Sequence, residues 1–175
     1  MRKVTWSAAV SLDLYLAAPD EALDWLQWSD DATSIVAESW KGVDTLLMGR
    51  KTYEFAASSG GGGGGAGASG IRTYIFSRTM TEAPAGAALV TSDPAAFVGK
   101  LKQEDGGDII VLGGGELASA LIEGGVVDEI GLNVHPLLLG GGIPFFRPMA
   151  RRVALALVEA RPIAKDCVFL RYRLA

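Results

Sequence analysis

The feature that most constrains this chain is the apolar run Asp108-Ile109-Ile110-Val111-Leu112, which stops at Gly113-Gly114-Gly115 and continues at once into the helix-like stretch Glu116 to Glu123. An apolar run this short, rich in β-branched residues and closed by glycine, reads as a strand buried on both faces, which belongs in an α/β sheet covered by helices. A strand that ends in side-chain-free residues and feeds a helix leaves bare backbone N–H groups at a positive helix end, a setting that suits a phosphate. Thr45-Leu46-Leu47-Met48 runs in the same way into Gly49-Arg50-Lys51-Thr52, which adds two cations and a hydroxyl to a second strand-to-helix junction. Two anion cradles on one sheet point to a nucleotide cofactor with several phosphates.

Strand and helix signals alternate along most of the chain. Val4 to Val10 reads as the first strand; Asp30 and Asp31 can cap a helix from about Ala32 to Trp40, with Ile35, Val36 and Trp40 as its inner stripe. Thr45 to Met48 is a buried strand, Lys51 to Ala57 a short helix, Thr73 to Phe76 a strand and Leu89-Val90 a brief one. Ser92-Asp93-Pro94 starts a helix, with proline where its missing donor costs nothing, and Gly106-Gly107 ends it. After the Gly113 unit comes the strand Glu129 to His135. Val153 to Glu159 and Cys167 to Leu174 are two long β patterns separated by the turn-forming stretch Pro162 to Asp166, so they pair as an antiparallel hairpin. The expected fold is therefore three-layer α/β/α, with a mixed, mainly parallel sheet closed by a C-terminal antiparallel hairpin. Ser58 to Gly70, with six consecutive glycines from Gly60 to Gly65, is expected to be a flexible surface loop.

Composition limits the functional classes. At 175 residues the chain is expected to form one domain, residues 1–175. A formal net charge of -4, without a basic stripe carrying aromatics, argues against nucleic acid and anionic lipid as partners. Cys167 is the only cysteine, so no internal disulfide forms and a reducing cytoplasm is the expected location. Ser7, Ser11 and Asp13 interrupt the apolar N-terminal stretch, and no run approaches the ~18 apolar residues that cross a bilayer. The single His135 has no carboxylate or thiol companions in sequence that would suggest a metal site, and reads as structural.

Gly113-Gly114-Gly115-Glu116-Leu117-Ala118 satisfies the dinucleotide pattern G-x-G-x-x-A formally. That fingerprint expects an acidic residue at the end of the next strand, whereas here Asp128 and Glu129 stand at its start and His135-Pro136 near its end. A Rossmann-type NAD enzyme and a glycine turn without a ligand both remain as alternatives on pattern alone. Taken singly, Arg50 and Lys51 read more often as solvated surface cations than as ligands, Asp13 more often as a turn residue than as a catalytic acid, and Trp25 and Trp28, three apart on a helix-like stretch, at least as readily as core.

Several segments together resemble one family. Val10-Ser11-Leu12-Asp13 with Tyr15-Leu16-Ala17, then Asp44 to Glu54, Ile75-Phe76-Ser77-Arg78, Val111 to Leu117 and Pro136 to Phe146 look like the dihydrofolate reductase fold, and more closely the branch containing the reductase domain of bacterial riboflavin biosynthesis. The resemblance covers nearly the whole chain and rests on the order and spacing of modest motifs. It implies an NADPH-dependent oxidoreductase that passes a hydride to a small heterocyclic, carbonyl or imine substrate, in the manner of a 5-amino-6-(5-phosphoribosylamino)uracil reductase. A noncatalytic nucleotide-binding module of the same fold is the alternative.

The resemblance also implies residue roles. Gly49, Arg50, Lys51 and Thr52 would hold the pyrophosphate and the adenosine 2′-phosphate of NADP(H), with Ser77 and Arg78 completing the 2′-phosphate site. Gly113, Gly114, Gly115, Glu116 and Leu117 would approach the phosphates, with a cis peptide between the first two glycines. Ala9, Leu16 and Ala17 would border the nicotinamide, while Trp25, Trp28 and Asn133 would face the substrate and Asp13 is the candidate catalytic acid. The family has glycine after that aspartate, where this chain has Leu14. In dihydrofolate reductases a carboxylate on the first long helix binds the pterin; the matching place falls near Thr33, which argues against folate. Relatives in the riboflavin branch pair through their C-terminal strands, so a homodimer through the hairpin, whose Leu155, Leu157, Phe169 and Tyr172 form apolar edges, is expected.

Overall fold

A computed structural model describes residues 1–58 and 70–175, and the glycine run Gly60–Gly65 lies outside them. Ten strands and four helices follow one another among the described residues. Val4–Ser11 (β1) and Tyr15–Ala17 (β2) lead to the helix Asp30–Ser39 (α1), then Val43–Gly49 (β3), Arg50–Ser58 (α2), Arg72–Phe76 (β4) and Ala87–Val90 (β5). Pro94–Leu101 (α3), Asp108–Leu112 (β6), Gly115–Glu123 (α4) and Glu129–His135 (β7) follow, then Ile143–Pro144 (β8), Leu155–Ile163 (β9) and Cys167–Leu174 (β10). Eight strands form one sheet in the order β5-β4-β3-β6-β1-β7-β10-β9, and β2 pairs with β8 in a small second sheet. From β5 to β7 every neighbouring pair is parallel; β10 runs antiparallel to β7 and to β9. The mixed, mainly parallel sheet with its closing hairpin is the architecture the patterning requires.

Alternation along the strands sorts the core onto two faces. Val4, Trp6 and Val10 of β1, Ile109 and Val111 of β6, and Ile130 and Leu132 of β7 pack with Val98 and Leu101 of α3 and Leu117, Ala118, Leu121 and Ile122 of α4. Leu46 and Met48 of β3, Ile75 of β4 and Ile110 of β6 turn the other way, toward Trp40 and Tyr53. Burying a Leu, Ile or Val side chain contributes about 1.5 to 3 kcal/mol, so the two-sided central strands carry most of the stabilisation.

The ends of several elements differ from the expectation for identifiable reasons. Ser29, not Asp30 or Asp31, caps α1: its hydroxyl accepts from the Ala32 N–H at 3.2 Å, and the two aspartates occupy the first turn, where their charge favours the helix dipole. Ala32 is the buried residue of that helix and Val36 faces outward, so the inner stripe starts one turn earlier than Ile35. Asp93 and Pro94 start α3 as expected, but the helix ends at Leu101. Gly106 and Gly107 instead serve a close approach: a Cβ on Gly107 would stand 2.2 Å from the Gly42 carbonyl oxygen. Pro162 lies inside β9, opposite Val168, which an edge strand tolerates because its outer N–H groups need no ladder partner.

Gly107 also closes the polar anchor at the bottom of the sheet. The buried Arg2 donates through Nε to the Gly107 carbonyl at 2.6 Å and through Nη2 to Asp44 and Thr45, while the Gly107 N–H donates to Asp44 Oδ2 at 2.9 Å. Burial pushes the Asp44 carboxyl up, but hydrogen bonds from Thr45 and the Gly107 N–H, with Arg2 and Arg72 nearby, outweigh it and hold the carboxyl below its ordinary 3.8. A carboxylate whose folded pKa is depressed stabilises fully above its unfolded pKa, and that contribution fades as pH falls through the folded value. Asp44→Asn should therefore cost about 3 kcal/mol at pH 7, because it leaves the Arg2 charge buried without its partner. In urea unfolding followed from pH 7 to pH 3, the gap between wild type and variant should hold down to about pH 5 and shrink below it.

Candidate functional site

Because β4, β3, β6, β1 and β7 are parallel neighbours, their C-terminal ends share one edge of the sheet. In open α/β sheets that edge is where ligands bind. It brings together residues far apart in sequence: Ser77 and Arg78 after β4, Gly49 and Arg50 after β3, Gly113 to Glu116 after β6, Asp13 after β1, and Asn133 and His135 near the end of β7.

The Gly113 turn is built from below. Trp6 of β1 is fully buried, stacks on Phe145 with ring centroids 3.7 Å apart, and donates from Nε1 to the Gly113 carbonyl at 3.1 Å. Gly113 has φ +96°, and a Cβ there would stand 1.9 Å from Thr52 Oγ1. Gly115 opens α4 beneath the Phe145 carbonyl, which a Cβ would approach to 2.4 Å. Gly114 is different: φ is -74°, and a Cβ would meet only Leu16 at 4.0 Å. Bare backbone at this position thus faces open space beside Leu16. All described peptide bonds are trans, so the cis peptide expected between Gly113 and Gly114 is not part of this turn; the positive φ of Gly113 makes the bend. Trp6 and Phe145 were not among the expected site residues. Position 6 falls on the inward alternation of β1, but nothing local reveals a partner far along the chain.

The cations stand on the β3 and β4 side of this turn. Arg50 begins α2 and pairs with Glu54 at 3.1 Å, while Arg78 reaches across from the end of β4 to Glu116 in the first turn of α4 at 2.8 Å. Both pairs are exposed, and such pairs are worth about 0 to 1 kcal/mol, so either arginine can change partner at little cost. Lys51 is exposed and has no ion pair among the described residues. Ser77 Oγ accepts from the Thr79 and Met80 N–H groups at 3.1 and 3.0 Å, which fixes the turn and leaves its own proton to donate. Thr52 packs its side chain against Gly113, and Leu117 is buried in the core, so at that position only backbone faces the edge.

Beyond the glycines, Ala9 stands on β1 opposite Asn133 of β7, which in turn pairs with Phe169 of β10. Leu16 packs on the main core, and the buried Ala17 lies against Gly142, where a Cβ would come within 2.0 Å of the Ala17 carbonyl. Asn133 Oδ1 and Trp25 Nε1 are buried without a hydrogen-bond partner. The stretch holding Trp25 and Trp28 is turn and coil, not helix. Trp25 meets the buried His135 edge-on at 5.3 Å, and Trp28 is exposed and donates to Thr33 Oγ1 at 2.8 Å.

Asp13, the candidate acid, stands in the turn after β1. Its carboxylate accepts from Ser11 Oγ at 2.6 Å, the Leu139 N–H at 3.1 Å and the Gly140 N–H at 2.8 Å. The Ser11 bond chiefly, with the Gly140 and Leu139 bonds, outweighs desolvation and holds the carboxyl below its ordinary value. These bonds favour the ionised form. Asp13 clamps the Leu137–Gly140 turn onto the end of β1. Leu14 has φ +63°, so the chain keeps a glycine-like left-handed turn despite its side chain.

The unequal surroundings of the three glycines give a direct test of the turn. Gly113→Ala should lose at least about 2 kcal/mol in urea unfolding, from strain at positive φ and the clash with Thr52. Gly114→Ala should unfold within about 0.5 kcal/mol of wild type, since nothing in the folded chain opposes its methyl group.

Among the described residues no cluster of histidine, cysteine and carboxylates could hold a metal, and no helix is long and apolar enough to cross a membrane. In sequence the chain is 28% identical to YyaP of Bacillus subtilis (strain 168) over 179 aligned residues, covering 98% of this chain and 94% of that protein. In structure it superimposes on a candidate riboflavin biosynthesis protein of Shewanella sp. PV-4 with a TM-score of 0.83 at 22% identity, covering 99% of each chain. It superimposes on the dihydrofolate reductase of Enterococcus faecalis, solved with NADP(H), with a TM-score of 0.71 at 15% identity, covering 98% and 96%. These likenesses establish a dihydrofolate reductase-like fold, and with residues 2–169 matching its family pattern, the chain belongs to the RibD C-terminal domain family.

Proposed function

We propose that this protein is an NADPH-dependent reductase that passes a hydride to a small heterocyclic, carbonyl or imine substrate, as a 5-amino-6-(5-phosphoribosylamino)uracil reductase does. The observation that carries this reading is the placement of two glycine-led helix starts, at α2 and α4, on one sheet edge together with Arg50, which opens α2, and Arg78, which reaches the first turn of α4. Helix N-termini and unhindered backbone at Gly114 accommodate a pyrophosphate; two arginines offer charge-assisted contacts to a 2′-phosphate that NADH lacks. Gly49, Lys51, Thr52, Ser77, Gly113 and Gly115, with the backbone of Glu116 and Leu117, complete the cofactor side. Ala9, Leu16 and Ala17 border the nicotinamide, and Trp25, Trp28 and Asn133 line the substrate side. The cofactor supplies the hydride; the chain's own residues hold it, orient it and exclude water.

Titration of NADPH and NADH by calorimetry tests this. Arg50→Ala and Arg78→Ala should each weaken NADPH about tenfold and leave NADH nearly unchanged, because a charge-assisted hydrogen bond is worth roughly 1.5 to 3 kcal/mol. Equal losses for both cofactors would remove the arginines from the 2′-phosphate site. Tight NADPH binding without oxidation against a panel of aminouracils, pterins and small carbonyls would identify a binding module instead.

We also propose a homodimer through the C-terminal hairpin. The support is β9, an edge strand on which Leu155 is 43% and Leu157 is 59% exposed. Apolar edges of this kind are ordinarily covered. Light scattering at micromolar concentration should give a mass near twice the 18.3 kDa of one chain, and Leu157→Arg should shift it toward the monomer.

A further inference from the structure

His135 has no place in the cofactor contacts, yet it is 1% exposed and sits where β7 meets the substrate side. Three elements converge on its ring. Cys167, the first residue of β10, places Sγ 3.5 Å from Nδ1; the Gln27 N–H also points at Nδ1, at 3.5 Å; and Trp25 lies edge-on with ring centroids 5.3 Å apart. The Gln27 N–H donates to Nδ1, which needs that nitrogen bare and the ring proton on Nε2, while the Cys167 thiol packs beside Nδ1 and donates to the Lys165 carbonyl at 3.6 Å. Burial pushes the imidazole below its ordinary value, in keeping with a neutral ring.

The segment Pro19–Trp28 has little else to hold it. It contains neither helix nor strand, and its other hydrogen bonds are local turns, such as Leu26 to Leu23 at 3.1 Å, or the Trp28 contact with Thr33 of α1. Among the described residues, the Gln27 bond to His135 is the one hydrogen bond joining this segment to the large sheet. The segment carries both tryptophans of the proposed substrate side. His135 and Asn133 also share a face of β7, two residues apart and so about 6 to 7 Å along the strand. Whatever fixes the segment against His135 therefore fixes Trp25 next to Asn133.

We infer that His135 is a positioning residue: seated against Cys167, it accepts from the Gln27 backbone N–H and meets the Trp25 ring so that Pro19–Trp28 stands as the substrate-side wall. The inference rests on the proposed reductase reading for what the wall contacts, and on geometry alone for what holds the wall in place. It explains why the only histidine and the only cysteine of the chain, neither of them placed on the cofactor, lie buried in contact.

Segment-resolved amide hydrogen exchange on the whole protein tests it, with NADPH titration in parallel. His135→Phe should speed exchange across Pro19–Trp28 about tenfold or more while β1 and β6 stay within about twofold, because a tether acts on local opening and not on the sheet. His135→Asn, whose Oδ1 stands close to where Nδ1 was, should restore most of the protection. NADPH affinity should stay within about twofold in both, and for any compound the wild type reduces, KM should rise with kcat little changed. Unchanged exchange in the segment, or equal acceleration throughout the sheet, would overturn the inference. If His135→Phe does not fold, Cys167→Ala carries the same test, with faster exchange confined to the segment expected and none overturning it. Failure of the wild type to bind NADPH would sink the reductase reading while leaving the exchange result to decide the tether.

Discussion

The site depends on one side chain in the middle of the sheet. Trp6 is buried in the central strand β1, stacked on Phe145, and its Nε1 holds the Gly113 carbonyl. An indole buries a large apolar surface but carries a donor that needs a partner, so its position is set by two requirements at once. Phe145 in turn places its own carbonyl over Gly115 and donates its N–H to the Leu14 carbonyl at 2.9 Å. The glycine turn, the start of α4 and the turn after β1 are thus referred to the same pair of rings. Contacts within the chain set the shape of the turn.

Around that rigid centre the charges are held loosely. Arg50 and Arg78 rest on Glu54 and Glu116 in exposed pairs that water screens well. At the opposite end of the sheet the ion pair of Arg2 with Asp44 is buried and cross-linked to Thr45 and Gly107, and there a broken contact costs far more. Loosely paired cations sit at the edge where the parallel strands end, and the committed ion pair sits where they begin.

Asp13 and Leu14 show how the edge is assembled from loops. The carboxylate gathers two backbone N–H groups of the Leu139–Gly140 turn, and the left-handed residue after it lets the chain reverse into β2, whose partner β8 leads directly to Phe145. An acid that organises a turn in this way shapes this edge of the sheet.

Much of this was legible in the residues. The alternation of β and α periods, the abrupt ends at Gly49 and Gly113, the proline-led start of α3 and the late antiparallel hairpin are local signals, because propensity, capping and side-chain period act over a few residues. The edge where Gly49 and Gly113 end their strands followed from them, since parallel strands bring their C-terminal ends to one side of the sheet. Of the misplaced ends one was a local contest, in which Ser29 outcompeted Asp30 as a cap, and one was tertiary, since Gly107 answered to Gly42 across space and not to the helix before it. What tertiary structure alone decided is which distant groups meet. The stack of Trp6 on Phe145, the hold of Asp13 on Gly140, and the meeting of Cys167, Gln27 and Trp25 at His135 join residues with no shared local pattern. The sequence by itself determined the elements and where bare backbone would be offered; the packing of eight strands into one sheet determined which side chains hold that backbone, because contact across a core depends on the fold as a whole.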